Sequence, residues 1–209
     1  MKKIGITQRV DEISSYKERR DSLDQNWADL FCQLEMLPLP LANINTCFVE
    51  ALLSELRLDG ILFSGGNSLA YLESDNPNNT PERDRFELAL LECAIKNQIP
   101  VVGVCRGMQL INHYFGGGFQ KVEGHIATEH ELLRVNKSFE FPEKVNSYHG
   151  WGIPSDNLGA ELIPLATDAH GNIEAFRHKE HKVYGIMWHP ERDLASDQKN
   201  TQLLKRFYS

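Results

Sequence analysis

Apolar residues along this chain fall into two rhythms. Short, largely β-branched runs at Lys3–Thr7, Gly60–Phe63 and Ile99–Val104 read as buried strands. Between them the spacing is helical. A segment beginning near Asp21 puts Leu23, Trp27, Leu30, Phe31 and Leu34 on one face, and Thr46–Arg57 does so with Phe48, Leu52, Leu53 and Leu56. Thr80-Pro81 opens a longer helix to about Asn97, with threonine as N-cap and proline at the first helical position. Leu37–Leu41 is a short strand whose prolines place it toward a sheet edge. Such alternation implies right-handed crossovers and a mostly parallel sheet covered on both faces. Beyond Phe115 the rhythm shortens. Gln120–Glu123, Leu132–Val135, Lys144–Tyr148, Glu174–His178 and Lys182–Trp188 read as strands between polar turns, ahead of a C-terminal helix over Leu194–Tyr208. The pattern predicts one α/β domain over residues 1–209, with helices on both faces of the sheet and a small antiparallel or mixed extension.

The stretch Gly103-Val104-Cys105-Arg106-Gly107-Met108-Gln109 turns the reading toward chemistry. The strand ending at Val104 gives way at once to helical spacing through Met108, Leu110, Ile111, Tyr114 and Phe115. A cysteine on such a turn, with glycine two residues before and two after, is the thiol counterpart of the Gly-x-Ser-x-Gly nucleophile elbow. The following helix start favours a thiolate and an oxyanion. Alone, the motif fits equally a small buried thiol.

Composition narrows the setting. The net charge of −7, from 22 basic and 29 acidic residues, argues against a general nucleic-acid or membrane-surface role. No apolar stretch has spanning length, and Met1–Gly5 runs straight into a strand with no signal-peptide pattern. Cys32, Cys47, Cys93 and Cys105 are scattered without Cys-x-x-Cys spacing, which suggests reduced thiols and a cytoplasmic setting. His125 and His130 offer two metal ligands but no third partner in the pattern, so no metal or other cofactor is expected.

Ligands of open α/β sheets bind beyond the carboxyl ends of the parallel strands. That edge gathers the loops after Thr7, Phe63, Val104 and Met187. The Gly65-Gly66 pair after Phe63 is either a plain turn or a backbone N–H donor to an oxyanion. In Trp188-His189-Pro190-Glu191 a carboxylate two residues past the histidine can orient its ring, as a base serving a thiol requires.

The elbow, the Gly65-Gly66 loop, Pro81-Glu82-Arg83-Asp84 with Phe86-Glu87-Leu88-Ala89, Val145-Asn146-Ser147-Tyr148-His149 and Trp188-His189-Pro190-Glu191 resemble class I glutamine amidotransferases. Within that superfamily the chain is most similar to free-standing γ-glutamyl hydrolases. The resemblance implies a flavodoxin-like three-layer fold. It implies Cys105 as nucleophile toward a γ-glutamyl carbonyl, His189 as base and acid, and Glu191 as the group orienting it. Backbone N–H groups of Gly66 and Arg106 would form the oxyanion hole. Gln109 would hold the glutamyl head, and Ser147 and Tyr148 would meet its amino and carboxylate groups, largely through backbone. Ser64 stands where many relatives have proline, and Gly150-Trp151-Gly152 where they often have histidine and glutamine, which bears on substrate choice.

The group displaced divides the expected functions. A larger amine or amidate means a stand-alone hydrolase, and ammonia means a glutaminase subunit serving a synthase partner. A non-catalytic binding protein is disfavoured because all three triad members are present. Arg9, just past the first strand, either pairs with Asp11 or Glu12 or receives a phosphate or carboxylate of the leaving group. In the run Tyr16-Lys17-Glu18-Arg19-Arg20, Arg19 and Arg20 are either solvated charges at a helix start or neighbours of Arg9 in receiving that group. The N-terminal pattern Gly-Ile-Thr-Gln-Arg, followed by Ser-Tyr-x-Glu-Arg-Arg-Asp-x-Leu-Asp-x-x-Trp, is similar to that of γ-glutamyl-CDP-amidate hydrolases of capsule phosphoramidate synthesis. It implies release of glutamate and cytidine diphosphoramidate.

Overall fold

Each strand expected in the first half of the chain enters one sheet. The computed structural model describes residues 1–72, 75–76, 78–136, 138–193 and 198–209. In chain order the strands are β1 (Lys3–Thr7), β2 (Arg9–Ile13), β3 (Glu18–Ser22), β4 (Leu37–Leu41), β5 (Gly60–Phe63), β6 (Val101–Val104) and β7 (Gln120–Lys121). They continue with β8 (Ile126–Glu131), β9 (Leu133–Arg134), β10 (Lys144–Tyr148), β11 (Trp151–Gly152), β12 (Leu162–Thr167), β13 (Ile173–His178) and β14 (Val183–Ile186). The helices are α1 (Asn26–Leu34), α2 (Val49–Leu56), α3 (Pro81–Lys96), α4 (Arg106–Tyr114) and α5 (Gln198–Phe207).

The main sheet runs β4-β1-β5-β6-β14-β13-β12-β9, parallel from β4 to β14 and antiparallel beyond. Side-chain alternation sorts its residues into two cores. Val102 and Val104 join Trp27, Phe31, Leu204 and Phe207 of α1 and α5 on one face. Ile61, Phe63 and Val101 join Leu53, Phe86, Leu90 and Ile111 of α2, α3 and α4 on the other. Burying a side chain such as Phe86 contributes roughly 1.5–3 kcal/mol. Among the described residues three two-stranded sheets, β2–β3, β8–β10 and β7–β11, stand apart from the main one. Among the described residues no helix is long and apolar enough to cross a membrane. All four cysteines are free thiols.

Several expectations need correction. The segment near Asp21 is not a helix start. Residues Glu18–Ser22 form a strand pairing Arg9–Ile13, with Asp11 opposite Arg20 and Glu12 opposite Arg19. The hairpin is exposed and densely charged, with Arg19 reaching Glu12 across the strands at 3.9 Å, so it carries no apolar alternation to betray it. Thr46–Phe48 is a 3-10 turn, capped by Asn45 Oδ1 accepting from Cys47 N at 3.1 Å, and its geometry leaves Phe48 exposed. Thr80 does precede the first helical residue, Pro81, yet its buried hydroxyl makes no capping hydrogen bond. The strands β8, β11 and β12 escaped the sequence pattern. In β12, Pro164 and two register shifts interrupt the run. Of the expected C-terminal helix, Leu194 lies outside the described residues, and the helix is described from Gln198.

Candidate active site

Strand β6 passes into helix α4 through a single residue, Cys105, at φ 51° and ψ −105°. A non-glycine there costs on the order of 1–3 kcal/mol, which the surroundings must offset. They do so through Cys105 N donating to Ile186 O at 2.9 Å, and Gln109 N to Cys105 O at 3.0 Å. The flanking glycines are sterically required. A β-carbon on Gly107 would lie 2.3 Å from the Phe63 carbonyl oxygen, and one on Gly103 would lie 2.5 Å from the Gly107 carbonyl carbon. The elbow is thus pressed against β5, and its sulfur sits at the positive end of α4.

His189 follows β14, the parallel neighbour of β6, so sheet order brings it to Cys105. Asn146 of β10 fixes its backbone from both sides, accepting from His189 N at 2.9 Å and donating to His189 O at 2.8 Å. The His189 Nδ1 lies 2.7 Å from Glu191 Oε1, on the 3-10 turn that Pro190 opens. Cys105 and His189 line one cleft, and the Cys105 side chain acts on the same ring. Burial works against an imidazolium here, but Cys105 and then Glu191 outweigh it and push His189 up to about 10. The site therefore favours the charged form of His189, set between Cys105 and Glu191. The ring of Tyr148 stands edge-on to that of His189 at 5.8 Å, with the Arg192 guanidinium 4.0 Å from the Tyr148 ring centre.

The Gly65-Gly66 loop is held from below by Arg83. This wholly buried guanidinium donates to Ser64 O at 2.7 Å, Gly65 O at 3.2 Å and Gly66 O at 2.7 Å. With three carbonyls turned to one cation, the loop is fixed beside the cleft. Arg83 also donates from Nε to Glu87 Oε1 at 2.9 Å, and Glu87 and Asp84 in turn accept from Arg106. Despite burial, Arg106 and Arg83 hold the Glu87 carboxyl below the usual carboxylate range. Burial and the like charge of Arg106 bring Arg83 down to about 10. Two guanidiniums against two carboxylates leave the network near neutral. It ties the Gly66 loop and the first residue of α4 to one helix, α3. The sequence marked Arg83, Asp84 and Glu87 only as part of a resemblance. Their i, i+1, i+4 spacing on a helix otherwise packed with Phe86, Leu90 and Leu91 was the available signal.

A cleft of about 340 Å³ opens over these groups, with Gly66, Cys105, Arg106, Gln109, Tyr148 and His189 in its walls. Gln109 Nε2 donates to the Trp151 carbonyl at 2.9 Å, so that loop and the elbow helix are joined. Arg9 also lines the cleft, and its Nε donates to Asp11 at 2.8 Å, so it is both paired and available to a ligand. Arg19 and Arg20 stay on the hairpin, paired with Glu82 and Glu18. The Ser147 side chain is not in the cleft wall. Its hydroxyl is buried and donates to His125 O at 2.8 Å. Arg192, a third arginine in the cleft wall beside Arg9 and Arg106, was not anticipated. His125 and His130 do lie together, and folding adds His149 and Glu174 to them.

This geometry has relatives. Residues 3–191 match the model of the Peptidase C26 family. The chain is 35% identical to a gamma-glutamyl-CDP-amidate hydrolase of Campylobacter jejuni, across 99% of this chain and 97% of that one. It is 32% identical to a glutamine-hydrolysing GMP synthase subunit of Methanococcoides burtonii, across 78% of this chain and 79% of the relative. A crystal structure of a glutamine amidotransferase from Thermotoga maritima superposes with a TM-score of 0.69 at 17% identity, covering 99% of this chain and 98% of that one. The parallel sheet, its small antiparallel additions and these matches agree: the chain belongs to the Peptidase C26 family.

Proposed function

We propose that the protein hydrolyses a γ-glutamyl amide through a γ-glutamyl thioester on Cys105, and that its substrate is a γ-glutamyl nucleotide amidate of the γ-glutamyl-CDP-amidate type. The observation that carries this is the chain Cys105–His189–Glu191 set beside the Gly66 loop in one cleft. A thiol needs a base, the base needs an orienting partner, and the tetrahedral oxyanion needs donors.

The Cys105 thiolate attacks the γ-carbonyl carbon, and the oxyanion rests on the N–H groups of Gly66 and Arg106. Since Nδ1 of His189 faces Glu191, Nε2 is the nitrogen that serves the thiol and the departing nitrogen. Collapse breaks the C–N bond as the His189 proton passes to the leaving group. Water then gives a proton to His189 while its oxygen attacks the thioester, and glutamate leaves as the thiolate re-forms beside the imidazolium. Gln109 and the Tyr148 segment hold the glutamyl head.

The leaving group extends along the cleft wall that carries both Arg9 and Arg192. Two guanidiniums suit a diphosphate. The full-length likeness to the C. jejuni hydrolase supports the same choice. Reduced thiols and a nucleotide-linked substrate fit a cytoplasmic reaction. Purified protein, assayed alone for glutamate release, should turn over a γ-glutamyl nucleotide amidate well ahead of γ-glutamyl amines and glutamine. Negligible activity on every conjugate, with glutamine hydrolysis appearing only when a synthase is added, would instead make it an ammonia supplier to that synthase.

A further inference from the structure

Beneath the Trp151 side of the cleft, three histidines and a glutamate converge. One ligand atom each from His125, His130, His149 and Glu174 lies within 4.8 Å of all the others. They come from the turn before β8, from β8 itself, from the end of β10 and from β13 of the main sheet. Two observations set the cluster apart from an ordinary polar network. First, the buried Nε2 atoms of His130 and His149 and both carboxylate oxygens of Glu174 lack a hydrogen-bond partner. Glu174 is 1% exposed, so bulk water does not stand in for one. Each such orphan costs about 1–3 kcal/mol, and here the orphans face one another. Second, the remaining ring nitrogens fix the tautomers. His149 Nδ1 lies 3.1 Å from Trp151 O and His130 Nδ1 3.3 Å from Glu131 O. A carbonyl only accepts, so each Nδ1 carries the proton and each Nε2 turns a lone pair toward Glu174.

Lone pairs aimed at carboxyl oxygens across 3.5 Å (His130) and 3.7 Å (His149) are too distant for good hydrogen bonds and would repel an ionised Glu174. A cation between them removes both faults. Backbone carbonyls on Nδ1 are the outer partners that metal-binding histidines characteristically have. Imidazole with one carboxylate selects borderline transition metals, zinc foremost. Zinc–nitrogen bonds of about 2.0–2.1 Å space tetrahedral ligands roughly 3.3 Å apart, so the His–Glu separations are nearly right and the widest pair must close by about 1.5 Å.

The geometry points to a structural divalent transition-metal site, of the zinc class, formed by His130, His149 and Glu174 and completed by His125. It would pin the β8–β10 hairpin to the main sheet. His149 and the Trp151 carbonyl, which also receives Gln109, would then be fixed together behind the cleft wall. The metal takes no part in bond making. The site is independent of the hydrolase reading, because its test involves no turnover.

Chelator-treated protein is titrated with Co²⁺ and followed by visible absorption, then displaced with Zn²⁺, with metal content measured by mass spectrometry. The titration uses the Cys105→Ala protein, which excludes the catalytic thiol as a ligand. We expect one equivalent bound, ligand-field bands without sulfur charge transfer, and a raised melting temperature. His149→Ala and Glu174→Gln should weaken binding on the order of 100-fold or more. Should either fail to fold, His130→Ala, on the less buried hairpin strand, decides, with circular dichroism verifying its fold. No cobalt spectrum, or one that the folded His130→Ala protein retains at unchanged affinity, overturns the site and leaves a proton shared between Glu174 and a histidine.

Discussion

The α-carbon of Gly65 faces the imidazole of His189 so closely that a β-carbon on it would lie 2.5 Å from Cε1. One loop therefore sets both the position of the ring and, one residue on, an expected oxyanion donor. Replacing Gly65 with alanine should push the ring off Glu191 and Cys105. An ångström of misplacement costs roughly 100-fold in rate, so kcat should fall by about that factor with a near-native melting temperature. Unchanged kcat would mean that the loop yields and the approach is incidental.

Glu87 holds two buried guanidiniums, and its own carboxyl is 0% exposed. Breaking a buried ion pair by removing one partner costs about 3–5 kcal/mol. Glu87→Gln should lower the denaturation free energy on that scale in urea, and the residual folded enzyme should also lose activity because the Gly66 loop and Arg106 lose their common anchor. A loss below about 1 kcal/mol would show that Asp84 alone balances the network.

His189 gives stability a defined pH dependence. Its folded value, about 10, lies above that of an unfolded histidine near 6.5. A raised value stabilises the fold fully below about pH 6.5, and the contribution is lost as pH rises through about 10. Melting temperature should therefore decline from neutral to alkaline pH more steeply in the wild type than in Cys105→Ala, which lacks the largest group favouring the imidazolium. Parallel pH curves for the two proteins would contradict the thiolate–imidazolium arrangement.

Glu191 and Arg9 should separate by kinetic signature. Glu191→Gln keeps the shape of the partner but offers Nδ1 a weaker acceptor, so kcat should drop severely, though less than in Cys105→Ala. Arg9→Ala should raise KM about 10- to 100-fold for a nucleotide amidate, the worth of a charged hydrogen bond, and leave γ-glutamyl amines unaffected. Equal losses on both substrates would assign Arg9 to the Gly66 loop, against which it packs.

What was legible in the sequence followed physical signal strength. β1, β4 and β5 were readable to the residue because continuous apolar runs between turns admit little else. The grouping of Cys105, His189 and Glu191 was readable because glycine spacing and a His-Pro-Glu turn are local. The β2–β3 hairpin was hidden, since its charged, exposed positions leave no apolar period. Arg83 and Glu87 were hidden as site residues because their partners, the carbonyls of residues 64–66 and Arg106, meet them only in the fold. His149 and Glu174 joined His125 and His130 for the same reason: the four ligands span three chain segments and two sheets. Ser147 shows the converse, a residue within the right motif whose side chain is turned to His125.

The central claim is that Cys105 carries the γ-glutamyl group. Acid-quenched protein, taken during turnover of a γ-glutamyl nucleotide amidate and digested for mass spectrometry, tests it most directly. The account predicts a mass increase of one glutamyl residue on the peptide containing Cys105, absent from the Cys105→Ala protein, which should also release no glutamate. An adduct on another residue, or full glutamate release by folded Cys105→Ala, would contradict it.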